Sequence, residues 1–292
     1  MLYINPDLHS LLRNYTFEDF MRLDGETYRS DTRTGRCTKR VLIGGRAFFL
    51  KCHTGCGWKE ILKNLLCGKR PVVSAAHEYR ALEKLPRLGV PTPGLAAYGR
   101  KGTNPARIRS FVLTESLEHS ESLETFLPRF FSAADTPDKQ QLKHAILQRA
   151  AEIARKLHSN NLFHQDFYIC HLHIDLSYGE NNLTPEAVKL YLMDLHRVKR
   201  ARILSARYRR KDVAGLYFSA MDTPLTKTDL ARFIKDYRQC RDLKEATRLG
   251  GAHFWKAVNR RAIGLYRRIT GRDVEPRDTC FPNAGRGIRT KK

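Results

Sequence analysis

This 292-residue chain lacks most of the features that would place it in a specialised class. No window approaches the length of a membrane-spanning helix, and no basic amino-terminal segment leads into an apolar one, so the sequence reads as cytoplasmic. There is no Cys-x-x-Cys pair. The seven cysteines, at 37, 52, 56, 67, 170, 240 and 280, are odd in number and irregularly spaced, which argues against a disulfide framework and fits reduced thiols. Cys52, His53, Cys56 and Cys67 could be assembled into a metal site, but without the paired spacing of zinc modules scattered thiols outweigh that reading. A G-x-G-x-x-G loop is missing too. Acidic residues are scarce: 30 Asp and Glu against 53 Lys and Arg leave a net charge of +23. Such an excess points to an anionic partner or substrate, whether nucleic acid, acidic membrane, phosphorylated glycan or acidic protein. Apolar residues are plentiful, and a 41% share can fill one large core or two lobes around a cleft.

Against these absences stand two carboxylates, Asp166 in Phe163-His164-Gln165-Asp166-Phe167-Tyr168-Ile169-Cys170-His171 and, 28 residues later, Asp194 in Leu192-Met193-Asp194-Leu195-His196. A kinase-type phosphotransferase needs such a pair, one to orient and deprotonate a hydroxyl and one to hold magnesium against ATP. Each string alone is common, so the companions upstream decide the matter. Three β-prone runs, 26–29, 37–43 and 46–52, surround a Gly44-Gly45 turn. The link between the first two, residues 30–36 with Gly35, offers amides, hydroxyls and arginines to phosphates, and reads equally as a polar turn. Lys51 ends the third run, where a phosphate-gripping lysine would sit. Its partner glutamate is expected on a helix spanning 74–85, with Glu78 first and Glu83 second, capped by Ser74 and stopped at Pro86. Between them, residues 57–68 predict a basic amphipathic helix with Trp58, Ile61, Leu62, Leu65 and Leu66 on one stripe; it rests on an anionic bilayer, docks an acidic partner or packs on its own lobe.

Strands near 95–98 and 108–117 complete a five-stranded lobe, and residues 115–121, starting at Glu115, form the hinge expected to meet adenine. Residues 128–138 read as a loop, and 140–159 as a long helix that delivers the chain to His164 and Asp166. His171 stands where kinases carry asparagine, and its role stays open between a second metal ligand, a phosphate contact and loop support, since magnesium prefers oxygen. Gln165 replaces the arginine that would answer a phosphorylated activation loop, so no phosphorylation switch is expected. Asp212 opens a predicted helix, as a brace under the loop or as a cap.

Taken together, Phe48-Phe49-Leu50-Lys51, residues 59–66, Glu78, residues 164–171, Asp194-Leu195-His196-Arg197, and Lys211-Asp212 with Gly215 to Ser219 resemble the bacterial lipopolysaccharide core heptose(I) kinase family. The Asp-x-Tyr-Ile-Cys-His string is its most specific part. The resemblance, running roughly over residues 20–240, implies an α+β, two-lobed protein-kinase-like fold: a small antiparallel β-sheet lobe with a helix, and a larger, mostly helical lobe. The lobes are expected at 1–117 and 118–275, with a basic flexible tail at 276–292. It further implies ATP- and Mg2+-dependent phosphorylation of the first inner-core heptose on a lipid A-anchored acceptor, peripheral to the inner membrane. Asp166 carries over as catalytic base, Lys51 and Glu78 as the ATP-positioning pair, and Asp194 as metal ligand; apart from the resemblance, His164 and Asp212 are read as structural support for the loop. Eight basic residues between 197 and 211, with Arg197, Arg209 and Arg210 foremost, are the candidate acceptor contacts. An acidic protein such as an acyl carrier protein is a further candidate partner, and no nucleic acid is expected. The competing readings are a kinase for Kdo or for protein hydroxyls, and a catalytically silent basic binding protein.

Overall fold

The computed structural model describes residues 1–31, 34–67, 71–131, 136–242, 245 and 251–274. The expected tail, part of the 30–36 link, and Lys69 and Arg70 lie outside the described residues. The α+β class is as expected, and the chain divides into two compact units, Met1–Ser120 with Tyr191–Arg200, and Glu121–Leu190 with the residues from Ala201 onward. The segment that carries Asp194 therefore belongs with the β-rich unit.

That first unit is built on an antiparallel sheet of six strands: β1 (Leu2–Ile4), β2 (Glu26–Asp31), β3 (Arg36–Ile43), β4 (Arg46–His53), β5 (Leu95–Lys101) and β6 (Arg109–Glu115), in the order β1-β5-β6-β4-β3-β2. Five strands were expected; the sixth, Leu2–Ile4, is too short to show alternation and is recruited by pairing with β5. Gly44 and Gly45 both take positive φ, 55° and 78°, which a two-residue hairpin turn of matching twist requires. Along β4 the period of two buries Phe48 and Leu50 beside Phe20, Phe111 and Leu113, and turns Lys51 to the opposite face. The sheet is thus a platform whose apolar side holds it together and whose other side presents the lysine.

After β4 come the helix Gly57–Leu66, expected at 57–68, and the helix Ala76–Arg87, which lies two residues later at each end than the sequence suggested. Ser74 does not cap it; its buried hydroxyl accepts from the Ala76 amide at 3.4 Å while Ser110 Oγ receives the Ala75 amide at 3.0 Å. Pro86 does not stop it either. The stop is a Gly89 closure at φ 69°, with Val90 N–H donating to Leu85 O at 3.0 Å and Gly89 N–H to Pro86 O at 2.9 Å.

The second unit is mostly helical: Leu123–Phe131, Pro137–Ser159, Ser205–Ser219, Lys227–Arg238 and Gly251–Thr270. Residues 128–131, expected in a loop, continue a helix in which Phe126 stacks on Phe130 at 4.9 Å; that burial outweighs the breaking tendency of Pro128. The long helix starts at Pro137, earlier than the expected 140, because Thr136 caps the Lys139 amide and proline suits a first turn. Its face of Leu142, Ile146, Ala150, Ile153 and Leu157 is buried and leads straight into the Asp166 loop. Among the described residues no helix is long and apolar enough to cross a membrane.

Candidate functional site

In the β-rich unit the charged groups converge beside the sheet. Lys51 Nζ donates to Glu78 Oε1 at 2.6 Å and stands 3.6 Å from Asp194 Oδ1. Glu78 is buried, and the Lys51 ammonium gives it a counter-charge that offsets the cost of that burial. Burial alone would lower the Lys51 pKa, but the two carboxylates outweigh it and leave it above the ordinary lysine value. Glu83, the second choice, instead shares a hydrogen bond with Tyr79.

Asp194 has a left-handed backbone at φ 52°, an unusual state for a non-glycine residue. The turn aims its carboxylate both at Lys51 and at His196, whose Nδ1 lies 2.6 Å from Oδ1. The chain thus builds a row of Glu78, Lys51, Asp194 and His196 around a cavity of about 120 Å3 that Arg29 and Arg36 also line. Arg36 is half-fixed by a hydrogen bond to Val72 O at 3.0 Å. Cations and hydroxyls on one side and a hard carboxylate on the other suit a polyphosphate with its metal.

Gly35 sits at φ 61°, and a Cβ there would lie 2.3 Å from Gly55 O, so any larger residue would push the β2–β3 return off the chain beside it. Its own carbonyl accepts from Thr54 N–H at 2.8 Å, which ties Gly35 to the residue after β4. Glu115 ends β6 with its carboxylate paired to Arg46, while its amide donates to Gly94 O at 2.8 Å and the Ser116 amide to Ala47 O at 3.0 Å. The two amides at the start of the expected hinge are thus used inside the sheet. Cys52 has its thiol pushed up to about 12 by burial, the opposite of what a metal-ligating thiolate needs.

The Asp166 loop in the helical unit is organised from beneath. Asp212 is buried, and its Oδ2 accepts the His164 amide at 2.7 Å while Oδ1 accepts the Gln165 amide at 2.9 Å. It lies in the middle of the Ser205–Ser219 helix, so the cap reading is corrected: the helix began seven residues earlier than expected, leaving the carboxylate for the loop. These two amides hold Gln165 at φ 75°, and Lys211 Nζ reaches its side-chain oxygen at 3.4 Å. His158, its pKa lowered by burial, bridges Asp212 Oδ2 at 3.4 Å and the Tyr237 hydroxyl at 2.9 Å. Gly215 makes the approach possible, since a Cβ there would stand 3.0 Å from Phe167 O.

His171 Nδ1 lies 2.7 Å from the Asp166 carbonyl oxygen. A carbonyl only accepts, so this nitrogen carries the proton, and the imidazole closes the loop over the short helical turn Ile169–His171. His164 is fully buried beneath the same loop, 5.7 Å from the His171 ring.

The basic residues divide. Arg197 is exposed and belongs to the β-rich unit. Arg210 is partly exposed on the Ser205–Ser219 helix, whereas Arg209 buries its Nε and acts on the buried His158 and Tyr237. Arg36 was among the arginines of the 30–36 link offered to phosphates, whereas sequence reasoning gave no role to His196 or Arg29; the position of His196 two residues after Asp194 was the one signal available for it.

The comparisons with known proteins agree with one another. Residues 18–237 match the Lipopolysaccharide kinase (Kdo/WaaP) family. The chain is 38% identical over 253 residues to the lipopolysaccharide core heptose(I) kinase WaaP of Pseudomonas aeruginosa, covering 86% of this chain and 90% of that protein. It is likewise 38% identical over 240 residues to the protein of that name from Escherichia coli K12, covering 81% and 87%. Among solved structures it is similar to WaaP in complex with acyl carrier protein, with a TM-score of 0.73, 31% identity, and coverage of 91% of this chain and 99% of that one.

Proposed function

This chain belongs to the lipopolysaccharide kinase (Kdo/WaaP) family, and on that premise we propose that it transfers the γ-phosphoryl group of ATP to a hydroxyl of the first heptose of the lipopolysaccharide inner core. The observation that carries the reading is the Lys51 ammonium held between Glu78 and Asp194, since that arrangement serves a bound polyphosphate and has no use in a merely basic binding protein. Heptose is preferred to Kdo as acceptor because the relatives matched over most of the chain are named for heptose(I).

In this reading Lys51 grips the donor phosphates, with Glu78 fixing its direction and Arg36 and Arg29 adding charge; the Gly35 return contributes backbone. Glu115 and the residues after it pass beside the adenine. Asp194 would supply hard oxygens to hold Mg2+, whose charge would offset that of the phosphates. His171, with Nδ1 committed to the Asp166 carbonyl, serves the loop and not the metal. Asp166 accepts the hydrogen bond of the attacking hydroxyl. As the new oxygen–phosphorus bond forms and the bond to ADP breaks, the hydroxyl proton passes to Asp166 late, because the transition state is loose. Arg197 and Arg210 attract an anionic core glycolipid, with Arg209 stiffening the helix that carries the latter. His164 and Asp212 keep the loop in shape.

The acceptor is lipid-anchored, so the protein works at a membrane surface. An acyl carrier protein is a fitting acidic partner for a chain of charge +23, supported by the solved relative in complex with one.

The test is transfer of labelled γ-phosphate from magnesium-ATP to heptose-containing, unphosphorylated core lipopolysaccharide. Asp166→Asn should lower the rate by about 10³-fold while ATP still binds. No transfer by the unaltered protein to any core glycolipid would sink the acceptor assignment; a rate that survives Asp166→Asn would remove Asp166 as base.

A further inference from the structure

The Gly57–Leu66 helix presents its apolar stripe away from its own unit. At 100° per residue, Trp58, Leu62, Leu65 and Leu66 fall on one arc with Ile61 at its margin. Only Ile61, 5% exposed, is buried; Trp58 is 54%, Leu62 55%, Leu65 55% and Leu66 89% exposed. The side that meets the protein is the one with Ile61, Glu60 and Asn64, where Asn64 Nδ2 donates to Glu60 Oε1 at 2.8 Å and settles the helix's single acid. A surface helix of a soluble unit places these roles the other way round.

The charges follow the same division. Lys59 and Lys63, one turn apart, are exposed along the edge of the apolar arc, and the sequence adds Lys69 and Arg70 just beyond. Glu60 points to the protein side and offers no counter-charge. An apolar ridge carrying a tryptophan and bordered by lysines has the chemistry of a helix lying in the headgroup region of an anionic bilayer. A protein partner would need a groove to receive a convex ridge and would itself be acidic around it.

We infer that the Gly57–Leu66 helix is an interfacial element that seats this chain on an anionic lipid bilayer, with Trp58, Leu62, Leu65 and Leu66 entering the headgroup region and Lys59 and Lys63 pairing with lipid phosphates. The inference rests on the surface of the helix. It deepens the proposed function by giving a lipid-anchored acceptor and its enzyme the same plane, while its failure leaves the chemistry of Asp166 and Lys51 untouched.

The full chain, the Leu62→Asp/Leu65→Asp double variant and the Lys59→Glu/Lys63→Glu double variant are mixed with phosphatidylcholine vesicles with and without phosphatidylglycerol, and co-sedimentation and tryptophan emission are read. Trp58 is exposed and Trp255 buried, so a blue shift on vesicle addition reports Trp58. The expected result is binding that needs phosphatidylglycerol, a blue shift in the unaltered protein, and about a tenfold weaker partition for each double variant with unchanged melting temperature and ATP binding. Equal partition of all three proteins, binding indifferent to phosphatidylglycerol, or no vesicle binding by the unaltered chain would each overturn the inference. So would a native mass showing a dimer or an acyl carrier protein complex that Leu62→Asp/Leu65→Asp alone abolishes, because the ridge would then be covered by protein. Transfer to a delipidated core oligosaccharide, measured alongside, reads the kinase chemistry independently.

Discussion

The two units prepare their functional groups by opposite means. In the β-rich unit the lysine, glutamate and aspartate hold each other through side-chain charges beside an open cavity, at 2.6 and 3.6 Å. In the helical unit a buried carboxylate, Asp212, takes two backbone amides and fixes the loop from inside. Charges that meet at a cavity can be regrouped around an incoming polyphosphate, whereas a backbone clamped in the core keeps one geometry through every turnover. A phosphotransferase needs both, a grip that adapts to donor and metal and a base that does not move.

The sharpest way to break this contrast is Asp212→Ala. Two buried amides and His158 lose their acceptor, so stability should fall by about 3 kcal/mol and turnover should collapse with it, read by thermal unfolding and transfer assay. An unchanged melting temperature would show that the loop is held by something else. Lys51→Met tests the other half: about a 100-fold loss in ATP use, with a stability loss of about 2 kcal/mol, smaller than that of Asp212→Ala because one buried carboxylate loses its counter-charge where the other variant leaves three groups unpaired. Equal damage to stability from both variants would erase the distinction drawn here.

His171→Ala should slow turnover about tenfold by loosening Asp166, with His171→Asn restoring part of the rate and the magnesium dependence unmoved. A shift in magnesium requirement would return His171 to the metal. A final expectation, read at acid pH and not in turnover, is a pH dependence of stability in the β-rich unit. Burial pushes His53 down to about 3 from 6.5, so the folded state holds it neutral while the unfolded chain protonates it. Stability is therefore full above about 6.5 and drains as pH falls toward 3, by up to about 1.4 kcal/mol per pH unit. His53→Gln should flatten the melting temperature across that window; an identical profile would mean the decline comes from other groups.

Much of this was legible in the chain. Alternation in 46–53 and the Gly44-Gly45 turn gave the hairpin, and the Lys51 and Glu78 pairing followed from their places at a strand end and on a helix. Errors fell where packing overrode a local signal. Pro128 and Pro86 looked like breakers, yet both sit inside helices. Asp212 looked like a helix start because the stretch before it is so basic; only burial of the following turns shows that the helix extends back to Ser205.

The sequence by itself determined the chemistry available: an excess of positive charge, two carboxylates 28 residues apart, and a lysine and glutamate upstream. These depend on residue identity and order. The tertiary structure decided which groups meet, since a pairing such as Lys51 with Asp194 spans 143 residues and leaves no periodic trace. It also decided that Arg209 turns inward while Trp58, Leu62 and Leu65 turn out. Helical spacing says that residues share a face, and only packing against the rest of the fold says which way that face looks.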